Sequence, residues 1–261
     1  MINEYITYLL LTKGFSANTS KAYENALRLF AQNMATKQKR WSTISSTDIV
    51  SYLQMQKQSK SASTISLYIS AIRGIYHYIC HRYNITDPTK YIVRPKNKKY
   101  IPHIVNTEDI RQAIIHEKDQ QTKLAIMLIA ETGLRTSEAR SLRYEDIDKQ
   151  TGRTLIVGKG NKERYIYISK KLLNHLNKKE GKVFSYEDRD FRYRIYQAFA
   201  RIGVKCSPHI LRHTFASNAI NKGMRIDVLM EILGHTSIET TQIYLHTSQD
   251  IVQNEMLKYC A

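Results

Sequence analysis

The first part of the chain, residues 1–93, places apolar residues at helical intervals with polar residues between them. The clearest predicted helix follows Ser61. Its apolar stripe consists of Ile65, Ile69, Ile72, Tyr76 and Ile79. A stripe with steps of three and four lies on one face of a helix and is typical of packing against a core. This part is therefore predicted to form a helical domain.

Capping residues predict two further helices in the same part. Ser16 begins a helical stretch that runs through Phe30. Thr47 is predicted to cap the next helix, which carries Ile49 and Leu53. A side-chain oxygen at either cap can accept a backbone N–H of the first turn.

The second part of the chain also contains helical signals. Thr107 is predicted to cap a helix, and a buried helix over Leu124–Ala130 is expected to end near Gly133. Ser207 followed by Pro208 marks another helix start, because proline is favoured at the first helical position.

Strand signals lie between these helices. Thr154–Val157 and Arg164–Ile168 have strand character and flank a turn at Gly158–Asn161, which predicts an antiparallel hairpin. The predicted fold class is mainly α with a small antiparallel sheet, in which a helical domain precedes an α+β domain.

A basic, proline-containing segment separates the two parts. Residues 94–103 contain two prolines and four cations, which predicts an extended linker. The cations are Arg94, Lys96, Lys98 and Lys99. Such a segment can serve as a hinge and can also cross a phosphate backbone. The predicted domains are thus 1–93 and 104–261, joined by this linker.

Composition narrows the class of partner. The chain has 40 Lys and Arg against 23 Asp and Glu, a formal net charge of +17. This excess favours nucleic acid or an acidic membrane surface, although charge alone also fits a merely basic soluble protein.

Membrane insertion and export are not predicted. No apolar run approaches the roughly 18 residues that a membrane span needs, and the N-terminus lacks the pattern of a signal peptide. Cys80, Cys206 and Cys260 are scattered without the spacing of metal ligands, which favours a reducing cytoplasm.

Five short motifs in the second part carry the candidate chemistry. They are Thr-Gly-Leu-Arg135, Gly-Lys159-Gly-Asn-Lys-Glu-Arg, Pro-His209-Ile-Leu-Arg212, Leu-Gly-His235 and Thr-Thr-Gln-Ile-Tyr244. A guanidinium can bind two phosphate oxygens at once. Imidazole and ammonium groups can transfer protons, and a phenol can act as a nucleophile. Together these groups suit attack on a phosphodiester without a metal or other cofactor.

These motifs, in this order, resemble those of the tyrosine recombinases, which include Xer-type resolvases and phage-type integrases. Residues 1–90 also resemble the SAM-like core-binding domain of that family. The chain is similar to the two-domain form that lacks an arm-binding domain. The resemblance implies a site-specific recombinase that cuts and rejoins double-stranded DNA through a 3′-phosphotyrosyl intermediate and a Holliday junction.

The resemblance also assigns roles to residues. Tyr244 is the nucleophile, and His209 assists its deprotonation. Arg135, Arg212 and His235 contact the phosphate.

Lys159 is the candidate acid for the leaving 5′-hydroxyl, with Lys162 as a rival. Glu138 is expected to orient Arg135. His213 fits the family motif but is interpreted as structural.

Partners follow from the same resemblance. The expected assembly is a homotetramer, or a tetramer with a related recombinase, on two DNA sites with inverted repeats, with accessory DNA-bending proteins as further candidates. A C-terminal helix from Ser248, carrying Ile251 and Leu257, is expected to dock into a neighbouring protomer, with packing on its own domain as the alternative. The protein would be cytoplasmic and would associate with the nucleoid when bound to DNA.

Two other functions remain open from the sequence. A type IB topoisomerase shares this chemistry but reseals the same strand, and a non-catalytic DNA-binding protein could retain the fold. Integration, excision, inversion and resolution are not separated either. The predicted DNA contacts are Lys60, Ser63, Arg73, Lys162 and the four linker cations.

Overall fold

The computed structural model describes residues 1–95, 103–158, 160–176, 180–235, 239–242 and 244. The chain divides into two compact units, Met1–Lys99 and Tyr100–Ala261. Each unit has an apolar core of its own.

The described part of the first unit is helical. Its helices are α1 (Ile2–Leu11), α2 (Ala17–Thr36), α3 (Ser46–Lys57) and α4 (Ala62–Tyr83). The predicted helix starts at Ser16 and Ser61 are confirmed, and each side chain caps its helix by accepting a backbone N–H of the first turn.

The cap of α3 differs from the prediction by two residues. Ser45, rather than Thr47, is the N-cap, and its side chain accepts the backbone N–H of Asp48. The Asp48 carboxylate in turn accepts the backbone N–H of Ser45, at 2.9 Å. This reciprocal capping box satisfies two backbone donors, so it wins over a cap that would satisfy one.

The apolar stripe of α4 is buried as predicted. Ile65, Ile69, Ile72, Tyr76 and Ile79 all belong to the core of the first unit. Phe30 of α2 and Tyr52 of α3 join the same core, where their rings make an edge contact at 5.1 Å.

The second unit combines helices with one hairpin. Its helices are α5 (Thr107–His116), α6 (Gln120–Thr132), α7 (Thr136–Ser141), α8 (Lys170–Leu173), α9 (Asp188–Ala200), α10 (Pro208–Asn221), α11 (Ile226–Leu233) and α12 (Glu239–Gln242). A short 3₁₀ helix spans Tyr144–Asp146. The cap of α5 is Asn106 rather than Thr107, because the Asn106 side chain accepts the N–H of Asp109 at 2.6 Å.

The hairpin consists of β1 (Arg153–Val157) and β2 (Glu163–Tyr167), which pair antiparallel. Ile156 lies opposite Arg164, and Thr154 lies opposite Ile166. Because facing residues of a pair share one side of a sheet, these four form the inner face. The fold class predicted from the sequence, mainly helical with a small antiparallel sheet, is confirmed.

Two glycines in the left-handed backbone conformation end the helices that border the candidate site. Gly133 closes α6 at φ +64°, and Gly234 closes α11 at φ +62°. Glycine adopts this backbone conformation without steric cost. Ser207 caps α10, with Pro208 at its first position, as the sequence predicted.

Among the described residues, no helix combines the length and apolarity needed to cross a bilayer.

Candidate active site

Three arginines converge on the C-terminal end of α11. Arg164 Nε donates to the carbonyl of Ile232 at 2.8 Å, Arg212 Nη2 to Leu233 at 2.8 Å, and Arg135 Nη2 to Gly234 at 2.8 Å. The last carbonyls of a helix lack partners within the helix and carry partial negative charge. One helix end therefore fixes three guanidiniums, which come from distant parts of the chain.

Glu138 lies buried among these arginines. Arg164 binds it with two hydrogen bonds of 3.0 and 2.9 Å, and Arg135 Nη1 donates to it at 2.9 Å. Its pKa reflects a competition: burial would raise it, but the bonds from Arg164 and Arg135 lower it to about 2. The carboxylate is therefore ionised at neutral pH and holds both arginines in place.

Arg212 is the most enclosed cation of the group, with 5% of its surface exposed. Besides the Leu233 carbonyl, its guanidinium donates to the carbonyl of Gly133 at 2.7 Å. Burial and the nearby charge of Arg135 lower its pKa to about 10, so it stays protonated at neutral pH.

The charges of this cluster do not cancel. Three guanidiniums face one carboxylate, which leaves two positive charges at the end of α11. Partly buried positive charge, on hydrogen-bond donors whose positions are already fixed, is suited to binding a phosphate. We refer to Arg135, Glu138, Arg164 and Arg212 as the arginine cluster.

His235 extends the arginine cluster. Arg212 Nη2 lies 2.8 Å from its Nε2, and Thr241 Oγ1 lies 2.8 Å from its Nδ1. A guanidinium only donates, so Nε2 accepts and Nδ1 carries the proton that is donated to Thr241. Burial, together with Arg212, Arg135 and Arg164, lowers the pKa of His235 to about 4, so the ring is neutral at pH 7.

Tyr244 is buried beside the same helices, with 1% of its surface exposed. Its ring packs in an apolar cluster that includes Ala216 and Leu229. Its hydroxyl lies 2.7 Å from Nδ1 of His213. Burial raises the pKa of the phenol, and the charge of Arg212 acts in the opposite direction.

The two histidines of the α10 motif have different surroundings. His209 is exposed on the first turn of α10, where partial desolvation and the charges of Arg192, Arg212 and Arg135 lower its pKa. His213, which the sequence indicated to be structural, instead contacts the hydroxyl of the candidate nucleophile. The i, i+3 spacing of His209 and Arg212 is helical, as expected.

Several predicted residues fall outside the described residues. These are Lys159, Lys96, Lys98 and Lys99, together with Ser248, Ile251 and Leu257 of the predicted C-terminal helix.

The predicted DNA contacts in the described residues fall into two groups. Lys60, Ser63, Arg94 and Lys162 are exposed. Arg73 is half-buried, and its guanidinium donates to the carbonyl of Ile92. This bond ties α4 to the segment around Ile92 and gives Arg73 a structural role.

Sequence reasoning missed Arg164 and Thr241. Arg164 had a visible signal: it occupies an inward position of a strand whose neighbour on that face is Ile166, where an apolar residue is expected. A charged residue at such a position needs a buried partner. Thr241 had no comparable signal, because its contact with His235, six residues earlier, depends on how the chain folds between them.

A metal or cofactor site was not predicted. In the parts of the chain that the structure describes, no group of three His, Cys, Asp or Glu side chains could hold a metal ion. The cofactor-free prediction stays a prediction.

Family models match both units. Residues 98–250 match the phage integrase family, and residues 2–83 match the phage integrase N-terminal SAM-like domain. The chain belongs to the phage integrase family. The tyrosine-recombinase resemblance seen in the motifs is thereby confirmed.

Known phage integrase family members cover nearly the whole chain. Tyrosine recombinase XerD of Listeria innocua serovar 6a is 30% identical over 95% of this chain and 94% of its own length. A XerH site-specific recombinase bound to palindromic difH substrate superposes with a TM-score of 0.79 at 19% identity, over 100% of this chain and 85% of that one. A lambda integrase tetramer bound to a Holliday junction gives 0.75 at 17% identity, over 90% and 76%. These structures share the fold.

Proposed function

We propose that Tyr244 is the nucleophile with which this chain, a tyrosine-type site-specific recombinase, cuts and rejoins double-stranded DNA. The observation that carries the proposal is the convergence at one helix end of Arg135, Arg212 and His235, with the buried phenol of Tyr244 within reach of the charge of Arg212.

The arginine cluster would receive the scissile phosphate. Attack by Tyr244 places extra negative charge on the non-bridging oxygens, and fixed donors stabilise that charge without reorganising. Three of the five N–H groups of Arg212 are used within the described residues, for Gly133, Leu233 and His235. The other two N–H groups would be directed to the phosphate, with Arg135 beside them.

The proton transfers complete the reaction. Tyr244 forms a 3′-phosphotyrosyl ester, and the departing 5′-oxygen receives a proton from Lys159, with Lys162 as the rival donor. The ester retains the energy of the broken bond, so the 5′-hydroxyl of a partner strand can attack it without ATP. By family resemblance His209 would assist the deprotonation of Tyr244, and Glu138 would hold Arg135 in position.

The assembly follows the known family members. The XerH recombinase is bound to a palindromic site, and lambda integrase forms a tetramer on a Holliday junction. We accordingly propose two inverted-repeat sites, four protomers, and a C-terminal segment exchanged between neighbours. The domain boundaries at 1–93, 94–103 and 104–261, and a cytoplasmic, nucleoid-associated location, belong to the same proposal.

Exposed cations would contact the DNA backbone. Lys60, Arg94 and Lys162 are exposed, and Ser63 lies near the start of α4. Such contacts give affinity and position, whereas base recognition requires side chains aimed into a groove.

The test is a covalent capture in EDTA. A randomised library of nicked duplexes is incubated with the wild-type protein, Tyr244→Phe, or Tyr91→Phe, which changes a tyrosine that is 82% exposed in the first unit. DNA that survives detergent is sequenced. The proposal predicts adducts with a shared inverted repeat for the wild type and Tyr91→Phe, and none for Tyr244→Phe, which should still bind DNA.

The alternative outcomes separate the rival functions. Adducts that depend on Tyr244 but share no sequence would indicate a topoisomerase-like activity. Adducts that persist in Tyr244→Phe would refute the assignment of the nucleophile.

A further inference from the structure

A contact between His213 and Tyr244 is left unused by the roles given above. Nδ1 of His213 lies 2.7 Å from the hydroxyl oxygen of Tyr244, and the two rings are tilted by 50° with centroids 5.6 Å apart. This is a hydrogen bond to the atom that would attack phosphorus. His209, to which family resemblance gives the proton transfer, is exposed on the first turn of the same helix.

We propose that His213 is a catalytic residue that accepts the phenolic proton of Tyr244 as the hydroxyl attacks the phosphate. The inference rests on the proposed function and assigns a base to its first chemical step.

The helix α10 brings this base and the phosphate-binding arginine to the same place. Successive residues of an α-helix point about 100° apart, because each turn holds 3.6 residues. Arg212 is directed to the end of α11, and the adjacent His213 is directed to Tyr244. One rigid helix thus sets the position of the base relative to the anion site.

Tyr244 is held against His213 from its other side. Its ring packs in the apolar cluster between α10 and α11, and its backbone N–H donates to the carbonyl of Thr241 at 3.0 Å. Thr241 also contacts His235, which contacts Arg212. The nucleophile, the base and the phosphate contacts therefore belong to one connected set of residues.

The electrostatic surroundings keep His213 able to accept a proton. Desolvation and the neighbouring His209 and Arg212 lower the pKa of His213, so its ring is neutral near pH 7. With its hydrogen on Nε2, the lone pair of Nδ1 faces the phenol and accepts its hydrogen.

The timing of the proton transfer follows from the pKa values of Tyr244 and His213. Burial raises the pKa of Tyr244, so a free phenolate does not form beforehand. As the bond from Oη to phosphorus forms, the oxygen loses electron density and its proton becomes acidic enough for a neutral imidazole. General-base catalysis of this kind requires the base to be within hydrogen-bond distance.

The step balances in atoms and charge. The Oη–phosphorus bond forms while the bond from phosphorus to the 5′-oxygen breaks. The phenolic proton moves to Nδ1 of His213, and the 5′-oxygen takes a proton from the acid assigned to Lys159. In the rejoining step Tyr244 leaves and takes its proton back from His213.

The experiment replaces His213 with asparagine, because the asparagine side-chain oxygen can occupy the place of Nδ1 and accept the hydrogen bond without accepting a proton. The probe is a duplex containing the site recovered by covalent capture, nicked just 3′ to the scissile phosphate. The control is His116→Asn, an exposed position at the end of α5. We expect the rate of adduct formation to fall about 100-fold in His213→Asn, the lower range for loss of a general base, and to stay unchanged in His116→Asn.

A second substrate separates the base from the acid. In a 5′-bridging phosphorothiolate the leaving group is a thiolate, which departs without a proton. The ratio of the rates on the sulfur and oxygen substrates is independent of how much of a variant is folded. We expect His213→Asn to keep the wild-type ratio, and Lys159→Ala to raise it.

The outcomes are distinct. Near wild-type rates for His213→Asn, or a defect that vanishes on the sulfur substrate, would overturn the role of His213 while leaving the recombinase function intact. A wild-type protein that forms no Tyr244-dependent adduct would refute the proposed nucleophile itself.

Discussion

At the scale of single residues, Glu138 and Arg164 determine whether the arginine cluster exists. Arg164 has 9% of its side chain exposed and Glu138 has 3%, so neither charge is solvated. Buried ion pairs of this kind contribute little as a pair, but removing one partner leaves the other unsatisfied.

Replacing Arg164 by methionine should therefore lower the free energy of unfolding of the second unit by about 3 kcal/mol. Lys162→Met changes an exposed cation of the same hairpin and should shift it by less than about 0.5 kcal/mol. Urea unfolding followed by circular dichroism measures the change. The single tryptophan, Trp41, lies in the first unit, so its fluorescence reports that unit separately. Equal losses in both variants would contradict a special role for Arg164.

The same carboxylate makes stability depend on pH. The pKa of Glu138 in the folded state is about 2, below its ordinary value of 4.5. Its stabilisation is therefore fully present above pH 4.5 and is lost as pH falls toward 2. The difference corresponds to roughly 3 kcal/mol.

Comparison with Glu138→Gln isolates this contribution. The variant should be clearly less stable than the wild type at pH 6, and the gap should narrow toward pH 3 in urea titrations. A gap that is constant with pH would show that the ionised carboxylate is not the stabilising group.

At the scale of elements, the ends of α6 and α11 position the arginines of the candidate site. Gly133 at the end of α6 supplies a carbonyl to Arg212, and the end of α11 supplies carbonyls to all three arginines. These helix ends act as a template, so changes in them should affect both stability and cleavage.

Gly133→Ala tests this point. An added Cβ would lie 2.4 Å from a ring carbon of Phe215 and 2.9 Å from a methyl carbon of Leu233, at a φ of +64°. We expect a loss of about 3 kcal/mol, from left-handed strain together with overpacking.

Gly223→Ala is the matched control. Gly223 has a φ of +85°, and its added Cβ would meet nothing within 4 Å. The Gly223→Ala variant should lose about 1 kcal/mol of the free energy of unfolding, from backbone strain alone, and should form the adduct as the wild type does. Equal effects of the two substitutions would contradict the packing argument.

Local signals in the sequence predicted the elements well, and the reasons are physical. Ser16, Ser61 and Ser207 cap helices through bonds within three residues, and the stripe of α4 follows from helical periodicity. Thr47 and Thr107 were displaced by Ser45 and Asn106, because neighbouring side chains compete for the same first-turn donors.

The contacts between residues of the site were harder to predict from the sequence. The bond between Arg164 and Glu138 joins residues 26 apart, and the bond between His213 and Tyr244 joins residues 31 apart. Both depend on how α7, α10 and β2 pack, which no local pattern encodes. The motif residues themselves were identified through family resemblance.

At the scale of the whole molecule, the net charge of +17 should govern binding to DNA. Each phosphate neutralised releases counterions, so log K should fall with log salt by about 0.9 per contact. We expect Lys60→Gln to reduce this slope by about 1. The comparison variant is Lys149→Gln, which removes a cation of the second unit. A binding constant that hardly changes with salt would contradict a backbone-based interface.

The central claim is that Tyr244 becomes covalently joined to DNA. Trypsin cleaves after Arg225 and Lys258, and the peptide between these sites, 226–258, contains Tyr244 as its single tyrosine. The measurement is mass spectrometry of the tryptic digest of the adduct after nuclease trimming. The account predicts a nucleotide on this peptide, attached through the Tyr244 oxygen. A nucleotide on a peptide with any other of the 18 tyrosines would contradict it.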